Sequence, residues 1–196
     1  KAALAELIKS ADVLVEAFRP GVAGRLGFGP EAVKAINPRI VYCSISAFGQ
    51  SGPWRDKPAH DTATVAASGV LSLSRSPEGD SGPAIIGVAI SDMLSSWAAL
   101  SGILMALLRR ETTGEGDYLD VSMHESVLPA SPTIIGPVFA GNRAPHRLAE
   151  RSHGGGAIVD IHRTADDRLL ALGGGEHKFG SRMFGGVARA ACITAA

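Results

Sequence analysis

The chain has 196 residues, 45% of them hydrophobic and 19% charged, which is enough for a buried core and too little charge for a disordered segment. Lys+Arg and Asp+Glu number 19 each, so no net field recruits nucleic acid or a membrane surface. The two cysteines, Cys43 and Cys192, stand far apart without metal-ligand spacing, as expected in a reduced, cytoplasmic setting.

Leu4, Leu7 and Ile8 share one helical face, so residues 3–10 are expected to form a helix. "DVLVEAF" alternates as a short strand, and "RPGVAGRLGFGP" is a turn-rich connector. Pro30 opens a helix over "PEAVKAI", which Asn37-Pro38 closes. The β-branched run Arg39 to Gly49 has strand character, and Phe48 to Ala59 is a loop. This alternation predicts an α/β fold with a parallel sheet, in which binding sites lie at the carboxyl ends of strands. His60 directly follows a loop leaving such an end.

A helix is expected over 61–72, then a polar loop, then a short apolar segment leading to Asp92. From Asp92 to Arg110, the residues Met93, Trp97, Leu100, Leu104 and Leu108 recur at helical spacing. The apolar run Trp97 to Leu108 is too short to span a membrane and reads as a buried helix. Arg109, Arg110 and Gly114 supply a helix end. "GDYLDVSM" is a further strand and "HESVLPA" a short helix. Residues 131–156 read as loop, and "AIVDIHRTADDRLLALGG" as two strands joined at Ala165-Asp166-Asp167. A final helix is expected from Glu176 onward. These elements divide into residues 1–150, a large domain, and 151–196, the beginning of a small one. Both ends look cut, because a doubly wound domain normally opens on a strand.

Histidine can exchange a proton at neutral pH, and the position of His60 makes it a candidate base. Asp61 reads as the N-cap of its own helix. Asp92 stands at the start of a long apolar helix, either as a cap or as a reactive carboxylate whose neighbouring amides hold a developing oxyanion. Glu176 follows three glycines that allow close backbone approach to a ligand; its alternative role is a first-turn helix glutamate. The glycines at 154–156 are either a cover over a site or a linker. No dinucleotide fingerprint, nucleophile elbow or zinc-protease pattern occurs, and no metal site is expected.

The stretches "ADVLVEAFRPGVAGRLGFGPEAVKAINPRIVYCSISAFGQSGPWRDKPAHD" and "SDMLSSWAALSGILMALLRRETTGEGDYLDVSMHESVL" resemble the class III CoA-transferase family (CaiB/BaiF type), which includes the α-methylacyl-CoA racemases. The phrases "FRPG", "NPRIVY", "FGQSGP", "KPAHD" and "TGEGDYLDVSM" stand in that family's order over roughly residues 1–180, and the resemblance stops near Ser181. It implies a Rossmann-like parallel-sheet large domain, here incomplete, followed by the start of a small α+β domain. It further implies an acyl-CoA substrate, with coenzyme A part of that substrate and no tightly bound cofactor, and an interlocked homodimer. Phe18, Arg19, Ala47, Phe48 and Gly49 match segments that line the CoA site.

Two chemistries are implied for such a scaffold. In racemases, Asp92 and His60 would face each other across the α-carbon, with Glu176 supporting the histidine. In transferases, Asp92 alone would attack the thioester and carry an anhydride and then an enzyme thioester. All three racemase-type residues are present, which favours proton transfer. "ISDM" departs by lacking a glycine before Asp92, and "HGGG" resembles a loop that shields the anhydride in some transferases. A truncated, inactive remnant is the third possibility.

Overall fold

The protein is described by a computed structural model covering residues 1–74, 82–146 and 159–173. Glu176, the glycines at 154–156, Cys192 and the expected final helix lie outside the described residues. The chain divides into two compact units, Lys1–Leu71 with Ile85–Ala130, and Ser72–Ala84 with Ser131–Ala196.

In the first unit, α1 (Ala2–Ser10) leads to β1 (Val13–Glu16). The connector holds a short helix that turn propensity did not reveal, α2 (Val22–Leu26), bounded by Gly21 and Gly27 at φ of 80° and 87°. Next come α3 (Pro30–Ile36) and β2 (Val41–Ser46). The helix expected over 61–72 is shorter: α4 (Asp61–Ala67) stops where Gly69 turns left-handed at φ 84°, and a 3-10 turn covers Val70–Leu73. Then follow α5 (Ile90–Thr113), β3 (Tyr118–Ser122) and α6 (Met123–Val127).

The strands form a parallel sheet in the order β1-β2-β3. On one face Tyr42 joins Ile8 of α1, Val33 of α3 and Ile40 in a buried cluster. Asn37 fastens this layer: its amide donates to Ile8 O and Ala11 O, both at 3.0 Å, and its Oδ1 accepts from Arg39 N at 3.0 Å. Cys43 points to the opposite face, beside Leu119 in register. There α5 approaches closely, because a Cβ on Gly102 would lie 3.3 Å from Leu119 Cδ1.

The burial of α5 reverses the sequence expectation. Its buried residues are Ser91, Ser95, Ala99, Ala106 and Arg110, whereas Trp97 is 63% and Leu108 74% exposed. Small side chains let the helix axis come close to the strands, and the periodic large residues turn outward. Periodicity identifies an apolar face, not what covers it. At 24 residues, α5 is long and apolar enough to cross a membrane by length and composition alone.

At the far end of α5, Arg110 donates to Arg39 O at 3.0 Å and to Asp12 Oδ1 at 2.8 Å, at the amino ends of β2 and β1. The helix therefore runs against the strand direction. Its span from Asp92 to Arg110 is about 27 Å, while a strand as short as β2 is about 20 Å. The first turn of α5 thus reaches the carboxyl edge of the sheet.

Two buried acids make this core sensitive to alkali. Burial, then the nearby Glu16 carboxylate, pushes the Tyr42 phenol up to about 12. Burial, then Glu16 and Asp120, pushes the Cys43 thiol up to about 11. Between the ordinary values of 9.0 and 10.0 and these raised ones, the unfolded chain has lost protons that the folded chain keeps, so stability falls as pH rises. Thermal melts should accordingly drop between about pH 9 and 12. A thiol-alkylating reagent at neutral pH should leave Cys43 unmodified until the protein unfolds, as peptide mass spectrometry would read. Ready labelling of Cys43 in the folded protein would contradict its placement.

The second unit contains α7 (Pro132–Gly141) and the antiparallel hairpin of β4 (Val159–Arg163) and β5 (Leu169–Gly173). The helix falls where a loop was expected. Pro132 occupies its first turn, where proline costs nothing, Pro137 is tolerated inside, and Asn142 closes it at φ 45°. The hairpin turn falls at the expected residues, with Asp167 left-handed at φ 63°.

Candidate active site

Two segments leave the carboxyl edge of the sheet, one after β1 and one after β2. The first follows β1. Phe18 is half-exposed, with its amide donating to Glu16 Oε2 at 2.8 Å, and Arg19 is exposed in the turn before α2. Glu16 also accepts from Ser44 Oγ at 2.6 Å, tying β1 to β2 at this edge.

The second segment, Ala47-Phe48-Gly49, follows β2. Gly49 has φ 83°, and a Cβ there would lie 3.5 Å from the Asp120 carboxylate and in a strained backbone, so glycine is required. Asp120 grips the next residue, accepting from Gln50 N at 2.9 and 3.1 Å. Phe48 stacks edge-on against Trp54, with ring centres 5.2 Å apart, and lies 5.7 Å from His124 at the start of α6. Lys57 Nζ sits 4.7 Å from the centre of the Trp54 ring. The loop folds back toward the β1 turn, because a Cβ on Gly21 would meet Arg25 at 3.2 Å and Arg55 at 3.4 Å. Lys57 thus lies over the aromatic cluster, while Arg25 and Arg55 converge beside Gly21. Arg25, Arg55, Trp54 and His124, which the sequence analysis did not name, stand in the same two loops as the expected residues Phe18, Arg19 and 47–49 or in contact with them. The signal for Trp54 and Arg55 was basic and aromatic residues interleaved in "PWRDK", just before His60.

The starts of α4 and α5, which carry His60 and Asp92, are linked through Asp61. His60 is the N-cap residue of α4, in extended conformation, and its carbonyl accepts from Ala63 N and Thr64 N at 3.0 and 3.1 Å. Asp92 is the third residue of α5, whose N-cap is Ala89, a residue with no side chain to satisfy the helix's free amides. Asp61 supplies what is missing. Its Oδ1 accepts from Ser91 N at 2.7 Å, Ser91 Oγ at 2.9 Å and Asp92 N at 3.4 Å. Thr64 Oγ1 lies 2.6 Å from Ser91 Oγ in the same buried knot. Asp61 therefore does not cap its own helix; it closes the start of α5. The oxyanion expectation changes with it, because the Ser91 and Asp92 amides are already taken by Asp61.

The helix starts carrying His60 and Asp92 are thus pinned to each other, and both side chains are exposed. Neither side chain makes a hydrogen bond or ion pair among the described residues. A separate cleft of about 280 Å³, lined by Pro30, Lys34, Tyr42 and Tyr118 among others, opens at the amino ends of β2 and β3, away from these groups. No cluster of metal-ligating side chains occurs among the described residues.

Comparison with known proteins gives this edge a context. The profile of the family described as CoA-transferase family III matches residues 1–195, past the point near Ser181 where the resemblance was expected to stop. Acetyl-CoA:oxalate CoA-transferase of Acetobacter aceti is 37% identical over 179 residues, covering 91% of this chain and 46% of that protein. Alpha-methylacyl-CoA racemase of Homo sapiens is 35% identical over 180 residues, covering 91% of this chain and 46% of the racemase. A crystal structure of a CAIB/BAIF family protein from Brucella suis superposes with a TM-score of 0.79 at 26% identity, covering 94% of this chain and 48% of that one. The chain spans about half the length of these relatives.

Proposed function

Because the chain belongs to CoA-transferase family III, we propose that it forms part of an enzyme acting on acyl-CoA thioesters, by proton transfer at the carbon next to the thioester. The observation that carries this reading is that Asp61 fastens together the helix starts carrying His60 and Asp92, two exposed side chains without a partner among the described residues. One group withdraws the α-proton while the C–H electron pair moves into the thioester carbonyl, giving an enolate. The other returns a proton to the opposite face, inverting the centre. The substrate class is a 2-substituted acyl-CoA. Glu176 would support His60, as the resemblance implies. CoA would lie along the edge formed by Phe18, Arg19 and Ala47-Phe48-Gly49, with Arg25 and Arg55 beside its phosphates.

A second reading is favoured by the likeness to the oxalate CoA-transferase: Asp92 attacks the thioester and passes CoA to another acid. Solvent deuterium separates the two. With a 2-methylacyl-CoA and no acceptor acid, in the longest polypeptide carrying this sequence, proton transfer predicts deuterium at the α-carbon. CoA transfer predicts none, and predicts instead that hydroxylamine displaces the acyl anhydride or CoA thioester on Asp92, leaving a hydroxamate there.

A further inference from the structure

We infer that Asp61 is a positioning residue for the Asp92 carboxylate, acting as the hydrogen-bond acceptor that closes the first turn of α5. The inference rests on the reading of Asp92 as a reacting group. Asp92 has no side-chain partner among the described residues, so its place is set by its backbone alone. That backbone begins a helix whose own N-cap, Ala89, offers no acceptor. The missing acceptor comes from 30 residues away in sequence, where Asp61 Oδ1 takes the Ser91 amide and hydroxyl and reaches the Asp92 amide. Ser91 and Thr64 are fully buried around it, which shields these bonds from water. Asp61 is also bonded directly to His60 through the chain. One oxygen therefore fixes the separation of the two groups that would flank the substrate. A shift of about 1 Å between reacting groups costs about a hundredfold in rate.

The acceptor, and not the negative charge, is what this geometry requires. The side-chain oxygen of asparagine can accept the same bonds. In the longest polypeptide carrying this sequence, Asp61→Ala should lower kcat for the reaction of Asp92 about a hundredfold, with KM changed less than about threefold. Asp61→Asn should recover most of that loss. Parental kcat in Asp61→Ala overturns the inference, as does an Asp61→Asn variant as impaired as Asp61→Ala. If Asp61→Ala does not fold, Ser91→Ala decides. It removes one of the bonds and should lower kcat about tenfold at unchanged KM, whereas parental kcat overturns the inference. Asp92→Asn is measured alongside. If that variant is fully active, the reading of Asp92 has failed; if it is inactive while Asp61→Ala is not, only the role of Asp61 has failed.

Discussion

Asp92→Asn should abolish turnover, by at least about a thousandfold in kcat, while leaving the fold and CoA affinity near the parent. Asparagine preserves the shape of the side chain and sits on the exposed side of the α5 first turn. The Asp92 amide bond to Asp61 is a backbone contact, and the substitution leaves it in place. What disappears is the carboxylate, which proton transfer needs as an acid or base and CoA transfer needs as a nucleophile. General acid–base catalysis alone contributes about a hundred- to ten-thousandfold. Activity would be followed as loss of the acyl-CoA substrate, and affinity by CoA titration. Substantial turnover in the variant would remove Asp92 from both mechanisms.

Gly116→Ala should prevent the first unit from folding. The residue lies in "TGEGDYLDVSM", between the end of α5 and β3. A Cβ there would lie 1.9 Å from Ile40 O and 2.6 Å from Ile40 C, and backbone cannot yield as a flexible side chain can. The Gly116 amide donates to Pro38 O at 2.9 Å, so the chain is held against the entry to β2 by the contact the methyl would break. Substitutions that force such a shift cost about 4–5 kcal/mol or more, a large share of the roughly 5–15 kcal/mol that stabilises an ordinary domain. Soluble yield and a circular-dichroism melt would read the effect. A Gly116→Ala variant with the parental melting point would show that the α5–β3 crossing is placed wrongly. Gly24→Ala, where nothing lies within 4 Å, is the matched control.

The order of helices and strands was largely legible, because β-branched runs, prolines and glycines punctuate the chain at local scale. Two candidate site residues stand out by the same punctuation. His60 follows a loop leaving a strand, and Asp92 lies at the start of a strongly periodic helix. What stayed hidden depends on contacts between distant residues. Asp61 looked like a local cap because capping is a short-range rule, yet its oxygen serves a helix start 30 residues away. The large residues of α5 looked like core because they share one face, yet Gly102 and the alanines are what meet the strands. Glu16 and Asp120 stood inside the quoted phrases without a role of their own, and strand register is what puts them at one edge. The α7 helix was missed because its two prolines were read as breakers, though one of them stands in the first turn.

We propose that His60 and Asp92 act on opposite faces of one carbon. Deuterium uptake and inversion, followed separately from each epimer of a 2-methylacyl-CoA in His60→Ala and Asp92→Asn, decide this. Each variant should lose inversion, and each should still exchange the α-proton of one epimer only, the two variants choosing opposite epimers. Inversion at the parental rate in His60→Ala would contradict the account, and so would unimpaired transfer of CoA to an acceptor acid by that variant with no α-exchange in the parent.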